Sequence, residues 1–503
     1  MRLPTSPTLI TSPQRARRVV IVSNRVTRPG CTAHAGGLTV AIGDSLTAEP
    51  TTWFGWSGRI SRSAAEREPE CEVCDQLQIL TTDLTAHEHA GFYAGFSNQC
   101  LWPLLHHRPD LMQCDNEAFA TYVRVNQRYA STLMARLHPD DLLWVHDYHL
   151  MPLARALRAA GACQRLGFFL HVPFPPSEVI ARLPWHRQLF SALLEYDAVA
   201  FQTSSDTDNF RHYAQAVLGA QLVDGCDLQC AQRLVRCRTL PAGIDVDDLA
   251  RLARAADTNG DTAGLREFFG RDPLIAGIDR LDYSKGLLER FRAFEHFLAN
   301  RQAREHRAVY VQVAAPSREP QAHYANLRLG LEHAEEAITR RFAEADWVPL
   351  HCIKGVLSRG TLAALYRVAR VGFVTPMRDG MNLVAKEYIA AQDPDDPGVL
   401  ILSEFAGAAE TLREAIIVNP LDVEVTANAI QQALLMPLAE RQRRHAALCR
   451  RIRGQDAHRW RRDFLALLRN QPAAHVPGDG HRILRQPMAS RVRKRQRAGG
   501  ELT

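Results

Sequence analysis

At 503 residues, 46% apolar and 23% charged, the chain is long enough for two or three domains with large cores. No run approaches the roughly 18 apolar residues of a membrane span, and the polar N-terminus lacks the apolar centre of a secretion signal, so a cytoplasmic protein is expected. The net charge is +6, and from Arg482 onward seven basic residues stand against Glu501. The remainder is therefore close to neutral and not built to coat nucleic acid.

Residues 1–17 read as a flexible lead-in. The first apolar run, Val19–Ser23, ends in Ser23-Asn-Arg25, and the loop after it closes in Ala35-Gly-Gly-Leu38. Paired glycines (Gly36, Gly37) let backbone approach a phosphate, and an arginine offers it a planar fork. Cys71 and Cys74 form a C-x2-C pair, but the more loosely spaced Cys226 and Cys230 are distant in sequence, so structural zinc is not expected.

Runs at Leu142–His146 and Leu166–Val172 end in Trp144-Val-His-Asp-Tyr-His149 and His171-Val-Pro-Phe-Pro175. Histidines with an aspartate invite a metal, but His146 and His149 lack helical i,i+4 spacing. Hydrogen bonding to sugar hydroxyls is the alternative. After Ala198–Gln202, Asp206-Thr-Asp208 resembles a metal-holding D-x-D pair, yet Thr203-Ser-Ser-Asp reads better as a capped helix start. Pro241–Asp245 reads as a linker turn, which divides the chain near residue 247.

A second set of runs begins at Leu274–Ile278. It leads into Gly277-Ile-Asp-Arg-Leu-Asp-Tyr-Ser-Lys-Gly286, where Arg280 and Lys285 flank a loop feeding a helix over Ser284–Asn300. Val309–Val313, Val371–Thr375 and Val399–Ser403 follow. Val371–Thr375 enters Pro376-Met-Arg-Asp-Gly380, where Asp379 is expected to cap a helix opening at Gly380, with Glu387 two turns on to accept from a ribose cis-diol. Buried apolar strands alternating with helices predict α/β architecture: two doubly wound parallel sheets, with ligands at the strands' carboxyl ends in a cleft between them.

Taken together, these motifs, with Trp53-Phe-Gly-Trp-Ser-Gly58, Phe96-Ser-Asn98, Leu101-Trp-Pro103 and Phe405-Ala-Gly-Ala-Ala409, are similar to the trehalose-6-phosphate synthases. These are retaining glycosyltransferases of family 20 with the GT-B fold, and the resemblance runs from about Val19 to about Leu468. It implies an N-terminal acceptor domain (18–247), a nucleotide-sugar domain (248–455) and a C-terminal helix within 456–475 crossing back; beyond these, the run of basic residues predicts a disordered tail (476–503). By the same resemblance Arg25, Tyr93, Trp102, Asp147 and Arg318 hold glucose 6-phosphate. Gly36, Gly37, Arg280, Lys285, Asp379 and Leu383, Val384, Ala385, Lys386 and Glu387 hold UDP-glucose, and His171 contacts the transferred glucose. Arg280, Lys285, Asp379 and His171 are the implied catalytic set. Leu357 stands where the family often has an aromatic near the uracil, which leaves the nucleotide base open. No cofactor or metal is implied; a homo-oligomer is. A related synthase using another acceptor, such as glycerol 3-phosphate, a pseudo-glycosyltransferase making a trehalose-like product, and a regulatory homologue without activity are the competing readings.

Overall fold

The computed structural model describes residues 18–26, 37–46, 49–62, 68–270, 272–300, 307–316 and 322–469, with backbone alone at 37–40 and 322–323. Two sheets lie within one compact unit. The first contains β1 (Val19–Arg25), β2 (Thr51–Ile60), β3 (Glu70–Cys74), β4 (Leu77–Leu84), β5 (Leu142–His146), β6 (Arg165–Phe169), β7 (Ala198–Phe201), β8 (Gln221–Val223), β9 (Asp227–Cys230) and β10 (Arg233–Thr239), in the order β3-β4-β2-β1-β5-β6-β7-β10-β9-β8. From β4 to β10 all pairings are parallel, and antiparallel strands finish both edges. The second contains β11 (Leu274–Arg280), β12 (Val309–Ala315), β13 (Leu350–Ile353), β14 (Val371–Val374), β15 (Val399–Ser403) and β16 (Ile416–Val418), all parallel, in the order β13-β12-β11-β14-β15-β16.

Each expected apolar run is a strand, because a central parallel strand is covered on both faces: Val19–Val22, Leu142–His146 and Val399–Ser403 are buried throughout. In both sheets the chain winds outward and then returns beside its first strand. The switch points fall at β1/β5 and β11/β14, where such sheets leave a crevice for ligand.

The helices that position this crevice are α1 (Gly37–Ser45), α2 (Ser204–Leu218), α3 (Val246–Thr258), α4 (Leu287–Asn300), α5 (Arg359–Val368), α6 (Leu383–Ala391) and α7 (Ala457–Arg469). The predicted start of α2 holds: Thr203 caps it, accepting from Asp206 N at 3.0 Å, while Asp206 accepts from Phe174 N at 2.8 Å and Asp208 pairs with Arg211. Both D-x-D carboxylates are thereby engaged in protein contacts. α7 lies on the first sheet, its Trp460 and Phe464 rings each 4.7 Å from Trp144. The return passes directly over the outgoing linker. Ala457 N donates to Ile244 O at 3.1 Å, and a Cβ on Gly243 would lie 2.2 Å from the Asp456 carbonyl carbon, so only glycine fits the crossing.

The basic tail lies outside the described residues. No helix among the described residues is long and apolar enough to cross a membrane.

Candidate active site

On the N-terminal side the groups cluster beyond β1, β5 and β6. Arg25 ends β1 with its guanidinium 5.7 Å from the Trp56 ring. Tyr93 sits on the π-helical segment His89–Leu101, whose wide turns bring its ring within 5.3 Å of Trp56 and stack it on His149 at 5.9 Å and 16°. Gly91 makes this close packing feasible, since a Cβ there would lie 2.7 Å from the Thr121 Cβ. Trp102 follows directly, with its ring 3.9 Å from His106 and 5.9 Å from Tyr148. His106 Nδ1 is 2.8 Å from the Trp102 carbonyl, and burial lowers its pKa to about 4, so a neutral ring backs the indole.

Asp147, one residue past β5, has φ of 74°, a left-handed conformation that a non-glycine residue adopts at a cost of order 1–3 kcal/mol. Its N–H reaches the Phe169 carbonyl at 2.8 Å and its carboxylate accepts from His171 N at 3.3 Å. These two bonds hold the strained residue and link β5 to β6.

From the C-terminal side come Arg280 at the end of β11, Lys285 in the turn after it, and Asp379 beyond β14. The Arg280 guanidinium lies 5.2 Å from the Trp102 ring, which joins the expected donor group to the expected acceptor group. Lys285 is ion-paired and hydrogen-bonded to Asp379. Burial pushes the Asp379 pKa up, but Lys285 outweighs it, and the carboxyl stays below its ordinary range. The two loops are laced together: Met377 N donates to Ser284 O at 2.8 Å, and a Cβ on Gly286 (φ 66°) would lie 2.6 Å from Thr375 O.

One expectation is corrected here. Asp379 does not cap the following helix, which opens at Leu383 rather than Gly380. Asn382, at φ 71°, is the cap and accepts from Ala385 N. Asp379 N and O are instead tied to Phe405 and Gly407, and its carboxylate accepts from Lys285 and, at 3.1 Å, from Asn382 Nδ2. Gly380 instead presses on the other sheet's loop. A Cβ on Gly380 would lie 2.0 Å from the His171 carbonyl oxygen.

The run Leu383–Glu387 is not uniform. Leu383, Val384 and Leu357 pack partly buried against the second core. Ala385 is buried, and Lys386 is buried with its ammonium donating to Ala242 O at 2.6 Å. Burial lowers its pKa to about 7, and its side chain holds the linker, not the cleft. Glu387 accepts from Tyr366 at 2.9 Å, and burial raises its pKa. Arg359, at the start of α5, forms a two-pronged pair with Asp44 of α1 at 2.8 and 3.0 Å, which ties the helix after the Gly-Gly loop to the second sheet. Gly37 opens α1; Gly36 and Arg318 lie outside the described residues. Cys71 and Cys74 are exposed on β3, and among the described residues no group of three or more His, Cys, Asp or Glu side chains is placed to hold a metal ion.

Sequence reasoning missed His106, Tyr366, and the Asp44–Arg359 strut, since no local pattern announces partners 315 residues apart.

Comparison with known proteins bears on the family and the fold. The sequence model of glycosyltransferase family 20 matches residues 14–470. A trehalose-6-phosphate synthase from Sinorhizobium fredii is 43% identical over 454 residues, spanning 89% of this chain and 97% of that one. A crystal structure of an α,α-trehalose-phosphate synthase (UDP-forming) from Burkholderia xenovorans in complex with glucose-6-phosphate superposes with a TM-score of 0.87 at 44% identity, covering 90% of this chain and 100% of that one. A further structure, from E. coli and bound with UDP-2-fluoro glucose, gives a TM-score of 0.84 at 37% identity, covering 90% and 99%.

Proposed function

The chain belongs to glycosyltransferase family 20, and we propose that it transfers glucose from UDP-glucose to glucose 6-phosphate, forming α,α-trehalose 6-phosphate and UDP. The observation that carries this is the 5.2 Å approach of Arg280 to the Trp102 ring, which in this reading sets the cation for the donor's diphosphate beside the aromatic for the acceptor's pyranose.

In this reading Arg280 and Lys285 neutralise the diphosphate as the bond from its oxygen to the anomeric carbon breaks. Preorganised charge of this kind is commonly the largest catalytic contribution. Lys285 exchanges part of its contact with Asp379 for the phosphate. Backbone N–H groups at the start of α6 add the positive end of a helix dipole. Glu387, oriented by Tyr366, accepts from the ribose. Tyr93, Trp102 and Asp147 hold the acceptor, and Arg25, with Arg318, holds its phosphate. The acceptor hydroxyl attacks the anomeric carbon from the face the diphosphate leaves. Its proton passes to the departing oxygen, and the configuration is retained. A divalent cation is not called on, because lysine and arginine supply the positive charge. By resemblance the enzyme is read as cytoplasmic and homo-oligomeric.

The test is incubation of the purified chain with UDP-glucose and either glucose 6-phosphate or glycerol 3-phosphate. UDP release should depend on glucose 6-phosphate and survive chelation, and the product should show two α-anomeric protons by NMR. Preference for glycerol 3-phosphate would overturn the acceptor, and activity restored only by Mg²⁺ or Mn²⁺ would overturn the role given to Lys285 and Arg280.

A further inference from the structure

Behind His171 stands a second histidine. His146, the last residue of β5, is fully buried, and its Nδ1 lies 3.0 Å from His171 Nε2. Aromatic rings enclose the pair. Trp460 of α7 stands edge-on to His171 at 5.7 Å and 6.0 Å from His146, and Trp144 lies 4.5 Å from His146. Burial in this enclosure lowers the pKa of both histidines, that of His171 to about 3, so both rings are neutral at physiological pH. Between two neutral imidazoles a hydrogen bond holds one proton: one ring donates and the other accepts.

The neighbours decide which. Three buried nitrogens in the enclosure lack a hydrogen-bond partner: Trp144 Nε1, Trp460 Nε1 and His146 Nε2. Indole nitrogens only donate. Among the described residues no acceptor lies within hydrogen-bond reach of His146 Nε2, so a proton there would add a third unpaired donor, and unpaired buried donors are costly. A proton on Nδ1 instead leaves Nε2 as a lone pair among donors.

We infer that His146 is a positioning residue: it donates its Nδ1–H to His171 Nε2, fixes the plane of the His171 ring, and makes His171 Nδ1–H the donor presented to a hydroxyl of the transferred sugar. The inference rests on the reading that His171 contacts that sugar.

The test compares substitutions of His146 in the full chain, with kcat and both KM values measured separately. His146→Phe keeps the ring and loses the bond; kcat should fall roughly ten- to hundredfold, the range seen when the partner orienting a working histidine is removed, with the acceptor KM little changed. His146→Asn places an amide near the Nδ1 position and should restore most of kcat, whereas His146→Gln, whose amide lies further out, should not. Should the Phe variant not fold, the contrast between Asn and Gln still decides. In ¹⁵N spectra of histidine-labelled protein, His171 should be protonated at Nδ1 alone. Equal kcat across the Phe, Asn and Gln variants, or a His171 proton on Nε2, would overturn the inference. If His171→Ala is impaired while His146→Phe is not, the inference fails and the site reading stands. If His171→Ala is itself unimpaired, the reading of His171 fails, and the inference falls with it.

Discussion

Two cation–carboxylate pairs stand close together in the C-terminal half. Arg290 of α4 meets Asp279 of β11 at 2.6 Å with both side chains buried, and it also donates to Thr375 at 3.1 Å, Gln312 at 3.3 Å and the Lys285 carbonyl at 2.9 Å. Among the described residues Lys285 reaches only Asp379, at the rim of the cleft. A guanidinium with its fork filled on every side is part of the scaffold, and here it grips the backbone of the working lysine. An ammonium with one carboxylate partner can exchange that partner for a phosphate. The charges are alike, but their surroundings suit one to architecture and, on the proposed function, the other to chemistry.

The largest effect expected from this contrast is on stability. Arg290→Met leaves Asp279 buried without its counter-charge and should cost about 3–5 kcal/mol, read from denaturant midpoints. The double substitution Arg290→Met with Asp279→Leu should recover most of that, because an apolar pair of similar volume is close to neutral. Absence of recovery would mean that the polar fan to Thr375 and Gln312, and not the ion pair, holds the loop.

Lys285→Met should leave the fold largely intact and lower kcat by roughly 10²–10³-fold, the usual loss when one stabilising donor is removed from a charged transition state. If this variant unfolds like the Arg290 variant while its folded fraction turns over normally, the two pairs are of one kind and the contrast collapses.

Arg25 extends the comparison to the other half. As a phosphate fork, its replacement by alanine should raise the acceptor KM roughly ten- to a hundredfold with little change for the donor, since one charge-assisted hydrogen bond contributes about 1.5–3 kcal/mol. Lysine should recover only part. Unphosphorylated glucose serving equally well would remove the fork altogether.

The smallest effect is a pH dependence. Lys285 holds the Asp379 pKa below its unfolded value, so the pair's stabilisation is complete above the ordinary carboxylate range and is lost as pH falls through the lowered pKa. The stability gap between the native chain and Lys285→Met should therefore narrow on acidification in that window and be flat from pH 6 to 8.

Much of the architecture was legible because a buried parallel strand must be apolar on both faces, and runs such as Val399–Ser403 show little else. β2 escaped because glycine and serine interrupt its tryptophans, and β10 because arginines line it. In the site, Lys285 and Arg280 could be read from their loop and Asp147 from the run that ends its strand, whereas Tyr93 and Trp102 came only through family resemblance. Asp379 was misread because Asp-Gly before a helical stretch satisfies the local rules for a cap. The partner that claimed it, Lys285, lies 94 residues away, where no local rule reaches. His146 was weighed as a metal ligand and found poorly spaced for one; its partner, His171, lies two residues past the end of β6, which only the folded sheet brings alongside.

The crossing of Gly243 under Asp456 has a mechanical meaning. The segment from α3 to the end of β16 and its following helices is, topologically, an insertion threaded out of and back into the first half through a single point. A body pinned so can swing but has little freedom to slide. A cut in the linker at residues 240–245 would leave the two halves joined through Asp456 and α7.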